Sequence, residues 1–102
     1  MATELIWSSE SLDDIDAIAE FIARDSPHHA QRVVEALFEL SDAIATHPLA
    51  GRVVPELHDQ AVRERFLYSY RVIYEVRAEH VEVLAVLHGR RLLDSIEERF
   101  ED

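Results

Sequence analysis

Apolar residues in this chain recur with a helical period as far as Thr46 and with a period of two from Val62 onward. A stretch written for one period cannot bury its apolar side in the other, so the chain must fold as helices first and strands second. Leu12, Ile15, Ile18, Ala19 and Ile22 fall along one side of a helix expected over residues 10–24. Ser11 offers a capping hydroxyl, and Asp13, Asp14 and Asp16 fill the first turns, where the helix dipole favours negative charge. Ser26-Pro27 begins a second helix, with serine as the cap and proline at the first helical position, where its missing N–H is not needed. Its stripe of Ala30, Val33, Val34, Leu37, Leu40, Ser41 and Ile44 runs to about Thr46, because the residue before Pro48 is pushed out of the helical region. So short a link between the two helices predicts an antiparallel hairpin.

Ahead of the hairpin, Leu5-Ile6-Trp7 is a short run of strand formers closed by Ser8-Ser9. Behind it, Pro48-Leu49-Ala50-Gly51 is a turn, and the pattern stays irregular to about Gln60. Three strands follow. Val62 and Phe66 alternate with Arg63 and Arg65; Tyr70, Val72, Tyr74 and Val76 alternate with Arg71, Ile73, Glu75 and Arg77; Val81 to Leu87 is almost wholly apolar. Tyr68-Ser69 and Ala78-Glu79-His80 are short enough for hairpin turns, which predicts an antiparallel meander. Leu92 to Phe100 reads as a short terminal helix or a fraying tail. Residues 1–102 are therefore expected to form one α+β domain, in the order β-α-α-β-β-β, with a helical hairpin packed on a small twisted antiparallel sheet.

All ten basic residues are arginine, set against 21 acidic ones for a net charge of −11. They are unevenly placed: residues 1–51 hold two Arg and ten Asp/Glu, whereas residues 52–91 hold seven Arg and six Asp/Glu. The overall field repels a phosphate backbone, so direct binding of free nucleic acid is not expected, although screening over about 8 Å lets a local arginine patch act by itself. With no cysteine, thiolate chemistry is excluded. There is no apolar run of about 18 residues, so no membrane partner is expected. Met1-Ala2-Thr3-Glu4 lacks the basic flank of a signal peptide, which makes the cytoplasm the expected compartment. His28-His29 are adjacent on a helix and point apart, and His47, His58 and His80 have no ligand spacing; neither a metal nor a cofactor is expected.

The motifs narrow the reading further. Trp7-Ser8, Pro48-x-x-Gly51-Arg52, Glu56-Leu57, Arg63-Glu64, Tyr70-Arg71-Val72-Ile73-Tyr74 and His88-Gly89-Arg90-Arg91 occur in this order along nearly the whole chain. In that order and on that element pattern, the chain resembles the ParE/RelE superfamily of bacterial type II toxin–antitoxin toxins. The resemblance implies a cytoplasmic bacterial toxin and a cognate antitoxin, ParD-like or related. The antitoxin's C-terminal segment would wrap the toxin through helix-in-groove and strand-edge contacts. It also implies one of two targets: ParE-like toxins poison DNA gyrase by a protein contact, and RelE-like toxins cleave mRNA on the ribosome.

Cleavage through a 2′-hydroxyl attack needs a proton acceptor, a proton donor and cations near the developing charge. Arg63, Arg65, Arg71 and Arg91 fall near the positions where the ribonuclease branch places its basic residues. That branch also uses lysines before the Tyr-Arg strand and a tyrosine after the last Gly-basic pair. This chain has no lysine and no tyrosine after Tyr74. Arginine, fixed as protonated, cannot take the lysine's part in proton transfer, which leaves His88 as the only suitable group in the motif. The expected function is accordingly gyrase inhibition without catalysis, with Arg63, Arg65, Arg71, His88, Arg90 and Arg91 as partner-binding residues. The ribonuclease, using Arg63, Arg65, Arg71, His88 and Arg91, is the first alternative, and a non-toxic antitoxin-binding module is the second. Tyr70 and Tyr74 are expected to face the core, and Arg71 the opposite side of the sheet, where Glu64 or Glu82 is in reach for an ion pair.

Overall fold

The computed structural model describes residues 3–89 and Arg99. Its elements are β1 (Glu4–Trp7), α1 (Ser9–Ala23), α2 (Pro27–Thr46), a 3-10 turn at Pro48–Ala50, β2 (Arg52–Val53), β3 (Val62–Leu67), β4 (Tyr70–Val76) and β5 (His80–His88). The α+β order is the expected one, with two helices against a sheet. The segment expected as a terminal helix or tail, Leu92 to Phe100, lies outside the described residues except for Arg99.

Serine and proline delimit the helices. Ser26 accepts a hydrogen bond from the His29 N–H at 3.1 Å and Pro27 opens α2. For α1 the cap is Ser8 rather than Ser11: Ser8 Oγ accepts from the Ser11 N–H, and the Ser11 hydroxyl donates back to the Ser8 carbonyl at 2.8 Å. The helix starts earlier than expected because Ser8 still donates its N–H to Val83 as the last rung of β1, so strand and helix share one residue. From α2, Val33, Leu37 and Ile44 are buried against Val72, Tyr74, Val81, Val83 and Val86 of the sheet, joined by Ile15 from α1. Ser41 sits among them with its hydroxyl donated to the Phe38 carbonyl at 2.6 Å, so its burial leaves no polar group unpaired.

The sheet has five strands in the order β1-β5-β4-β3-β2. The meander β3-β4-β5 is antiparallel as expected. Two details depart from expectation. First, β1 joins β5 in parallel, Leu5 beside Val81 and Trp7 beside Val83, so the sheet is mixed. The helical hairpin acts as the crossover that a parallel pairing requires, and β5, lying between β1 and β4, needs apolar side chains on both faces. Second, the stretch read as irregular contains β2, with Arg52 opposite Glu64 and Val53 opposite Arg63.

A bulge between Ile73 and Tyr74 breaks the β4-β5 register. β1 ends at Trp7, so among the described residues the outer edge of β5 beyond Leu84 has no strand beside it. Asp14 of α1 takes over: its carboxylate accepts the Val86 N–H at 2.9 Å and pairs with Arg99 at 2.7 Å. Among the described residues, no helix is long and apolar enough to cross a membrane.

Candidate functional site

Strand alternation splits the arginines of the motifs between the two faces of the sheet. Arg63 opposes Tyr74 and Arg65 opposes Val72, and both of those β4 residues belong to the core under the helices. Tyr70 opposes His88 and packs against the same core, its ring edge-on to the imidazole at 6.0 Å. Arg63, Arg65 and His88 thus share the helical face. Arg71 opposes Phe66 and lies on the far face.

On that far face the helices offer no cover, and the segment after β2 folds over instead. Val54 and Leu57 pack on Val62, Ile73, Ala85 and Leu87 to make a second small core. At its margin sits a chain of charges. The Glu64 side chain is fully buried and accepts from Arg71 Nε at 2.8 Å and from Arg52 Nε at 2.9 Å, with the Arg52 and Arg71 Nη2 atoms completing the contacts. Arg71, only 7% exposed, spends its other bonds on Glu56, Nη1 to Oε2 at 3.0 Å and Nη2 to Oε1 at 3.2 Å. Of the two carboxylates in reach by alternation, Glu64 takes the pair, while Glu82 pairs with Arg77. Desolvation pulls the Arg71 pKa down, but the hydrogen bonds to Glu56 and Glu64 together outweigh it and raise the value further, so Arg71 is a permanent cation consumed inside the fold.

The same pairing acts on Glu56. The bond from Arg71 holds its carboxyl below the ordinary value of 4.5, against the opposing effect of burial. A depressed native pKa stabilises the fold above the unfolded value, and that stabilisation is lost as pH falls through the native one. Stability to urea should therefore drop as pH is lowered below about 4.5, and Glu56→Gln should flatten part of that slope. Because the Glu56 side chain is 45% exposed, the effect should stay within about 1 kcal/mol. An unchanged slope in the variant would show that Glu56 is not linked to folding.

The remaining motif residues have distinct surroundings. Arg63 ties down loops: its Nε donates to the Gln60 carbonyl at 2.9 Å, and Nη1 to Leu49 at 3.0 Å and Gly51 at 3.1 Å. Arg65 is half-buried and makes no side-chain hydrogen bond or ion pair among the described residues. His88 is exposed at the end of β5, beside a groove of about 300 Å³ between α1 and the sheet, lined by Ile18, Phe21, Tyr70 and Val86. Arg90 and Arg91 lie outside the described residues. Tyr74 is wholly buried, its hydroxyl donated to the Pro48 carbonyl at 2.7 Å, and burial pushes its phenol pKa up. It anchors the core, as expected, and Tyr70 packs beside it.

Sequence reasoning missed that Arg52 and Glu56 belong to the same charge chain as Arg71 and Glu64. The signal was present, since two of the motif pieces put a charge next to a residue that ends up buried, Gly51-Arg52 and Arg63-Glu64, and a third, Glu56-Leu57, next to one that is partly buried. No cluster of three or more His, Cys, Asp or Glu suited to a metal occurs among the described residues. Arg71 is permanently charged and buried, and the Tyr74 phenol is tied to a carbonyl.

Known proteins share this arrangement of chain. The family model of the ParE toxin of the type II toxin–antitoxin system parDE matches residues 5–93. The chain is 30% identical over 90 residues to the protein named Toxin RelE2 of Caulobacter vibrioides, covering 87% of this chain and 98% of that one. In three dimensions it shares the fold of a chain from the chromosomal ParDE TA system of P. aeruginosa. There the TM-score is 0.71 at 19% identity, over 85% of this chain and 96% of the other.

Proposed function

The chain belongs to the ParE toxin family of type II toxin–antitoxin systems, within the ParE/RelE superfamily, and from that premise we propose that it inhibits DNA gyrase by protein contact, without catalysis. The observation that supports this is the fate of Arg71. The arginine at the centre of the Tyr70-to-Tyr74 motif is 7% exposed and shared between Glu64 and Glu56, so it cannot meet a phosphate. Arg63 is likewise engaged, by backbone carbonyls. Arg65 and His88, on the helical face, are the contact residues of this reading, with Arg63 holding the loop beside them. A ParD-like antitoxin neutralises the toxin, its apolar side chains entering the groove between α1 and the sheet and its carboxylates meeting the arginines.

The test uses gyrase from the same host. Purified toxin should trap gyrase–DNA cleavage complexes, seen as linearised plasmid after detergent and protease, and added antitoxin should abolish the signal. A second reading is kept by the name of the RelE2 relative: cleavage of mRNA on the ribosome. Intact transcripts in arrested cells, together with trapped gyrase, would eliminate it; cut transcripts with no trapped gyrase would overturn the gyrase reading.

A further inference from the structure

Strand β5 contains the run Val83-Leu84-Ala85-Val86-Leu87, with no charge, glycine or proline in it. High strand propensity without charge is the composition that pairs with copies of itself when a backbone edge is open. On one side β4 covers β5 throughout, from Val76 beside Val81 to Tyr70 beside His88. On the other side β1 reaches only as far as Val83, whose carbonyl takes the Ser8 N–H at 3.0 Å. Among the described residues, Leu84 to Leu87 therefore have a strand on one side only.

Charged side chains occupy the place of the missing strand. Asp14 Oδ2 accepts the Val86 N–H at 2.9 Å, and Arg99 Nη1 points at the Leu84 carbonyl at 3.4 Å, the same distance as Ser8 Oγ. A neighbouring strand would bring the same two functions, a carbonyl for Val86 and an N–H for Leu84. Asp14 and Arg99 are also joined fork to fork, Nη1 to Oδ2 at 2.7 Å and Nη2 to Oδ1 at 3.2 Å. Their side chains are 10% and 17% exposed, so solvent weakens this pair little. A backbone offers its groups to the next comer, whereas these side chains spend their donors and acceptors on each other. They extend the ladder by one rung and then end it.

We infer that the Asp14–Arg99 pair closes the Leu84–Leu87 edge of β5 against a second copy of this chain, which would otherwise pair its own β5 there. The occupant follows from the segment itself. Two identical apolar runs meeting antiparallel form a closed two-fold contact in which each supplies what the other lacks. The net charge of −11 opposes the approach of two copies only over the screening length, about 8 Å at physiological salt, and so does not protect an edge already in contact. The inference holds whatever the toxin's target.

The test is self-association of the full chain at physiological ionic strength, followed by sedimentation velocity from micromolar to near-millimolar concentration. The decisive variant combines Asp14→Ala with Arg99→Ala, so that neither charge is left alone in a shielded place. Wild type should stay monomeric throughout the range, and the double variant should pass into dimers or larger species while keeping its helical circular dichroism. Hydrogen exchange locates the contact. In the dilute double variant the Val86 amide should lose at least tenfold of its protection, and it should regain that protection as association proceeds. A folded variant that remains monomeric overturns the inference and assigns the pair to the fold alone. So does association whose protected amides lie in the helices, or wild type that associates as strongly as the variant. If the double variant does not fold, Arg99→Gln decides, since it leaves Asp14 on Val86 and removes only the cation; its dimerisation constant should rise at least threefold over wild type, and no rise overturns the inference. In the wild type itself, a Val86 amide that exchanges as fast as exposed loop amides would show that Asp14 does not hold the edge.

Discussion

Glu64→Ala should lose about 3–5 kcal/mol of folding free energy in urea denaturation, the amount typical of removing one partner from a buried ion pair. Against a total of about 5–15 kcal/mol for a domain of ordinary stability, this leaves a substantial unfolded fraction at 37 °C. The loss arises less from the bonds themselves than from the cation they leave behind. Arg71 is buried, and without Glu64 its only carboxylate among the described residues is Glu56, whose side chain is 45% exposed. The Arg52 arm contributes less, since its 62% exposed side chain remains hydrated with or without a partner. Removing both charges is the informative control. Glu64→Leu combined with Arg71→Met places two apolar side chains beside Val62, Ile73 and Leu87 and should recover most of the lost stability. A loss below about 1 kcal/mol in Glu64→Ala would mean that water reaches the pair and that the far face is looser than its packing indicates.

The second large effect is expected at Gly51, although its backbone (φ −71°) is open to any residue. What excludes a side chain there is proximity: a Cβ would collide with the Tyr74 hydroxyl and stand 3.0 Å from the Glu64 carbonyl oxygen. The Tyr74 ring is wholly buried and tied to Pro48, so it cannot swing aside, and the Glu64 carbonyl belongs to a strand. Gly51→Ala should therefore destabilise by about 1–3 kcal/mol, the usual range for overpacking, and lower Tm by about 4–8 °C for each kcal/mol. Tyr74→Phe removes the oxygen that the methyl group would strike. Added to Gly51→Ala, it should restore part of the loss despite leaving the Pro48 carbonyl unpaired, and strict additivity in that double variant would show that the collision is not with Tyr74.

These two sites also mark where the sequence is readable and where it is not. The bounds of α2 follow from Ser26-Pro27 and Pro48, because capping and proline sterics act within a few residues. Period-two alternation likewise suffices to put Arg71 on the face opposite Tyr70 and Tyr74. What alternation cannot say is whether that opposite face is wet. Its burial depends on Val54 and Leu57, which come from a stretch with no period at all, and β2 within it is two residues long and defined only by its pairing with β3. The direction of β1 is hidden for a similar reason: four residues contain no record of which neighbour they will meet. Exposure of Phe66 and Tyr68 is equally tertiary, since strand propensity favours aromatic residues whether or not anything covers them.

The parallel pairing of β1 with β5 has a consequence for the protein's synthesis. Glu4 to Trp7 find their partners at His80 to Val83, so the first strand waits through most of the chain before its place in the sheet exists. Contacts of such sequence separation form late and slowly. A nascent chain on the ribosome can assemble the helical hairpin and, later, the β3-β4 pair, but not the sheet that positions them both. Translation itself thus delays the appearance of a competent toxin until His80 to Val83 have emerged, and a message cut short before codon 80 yields a fragment whose first strand lacks its β5 partner.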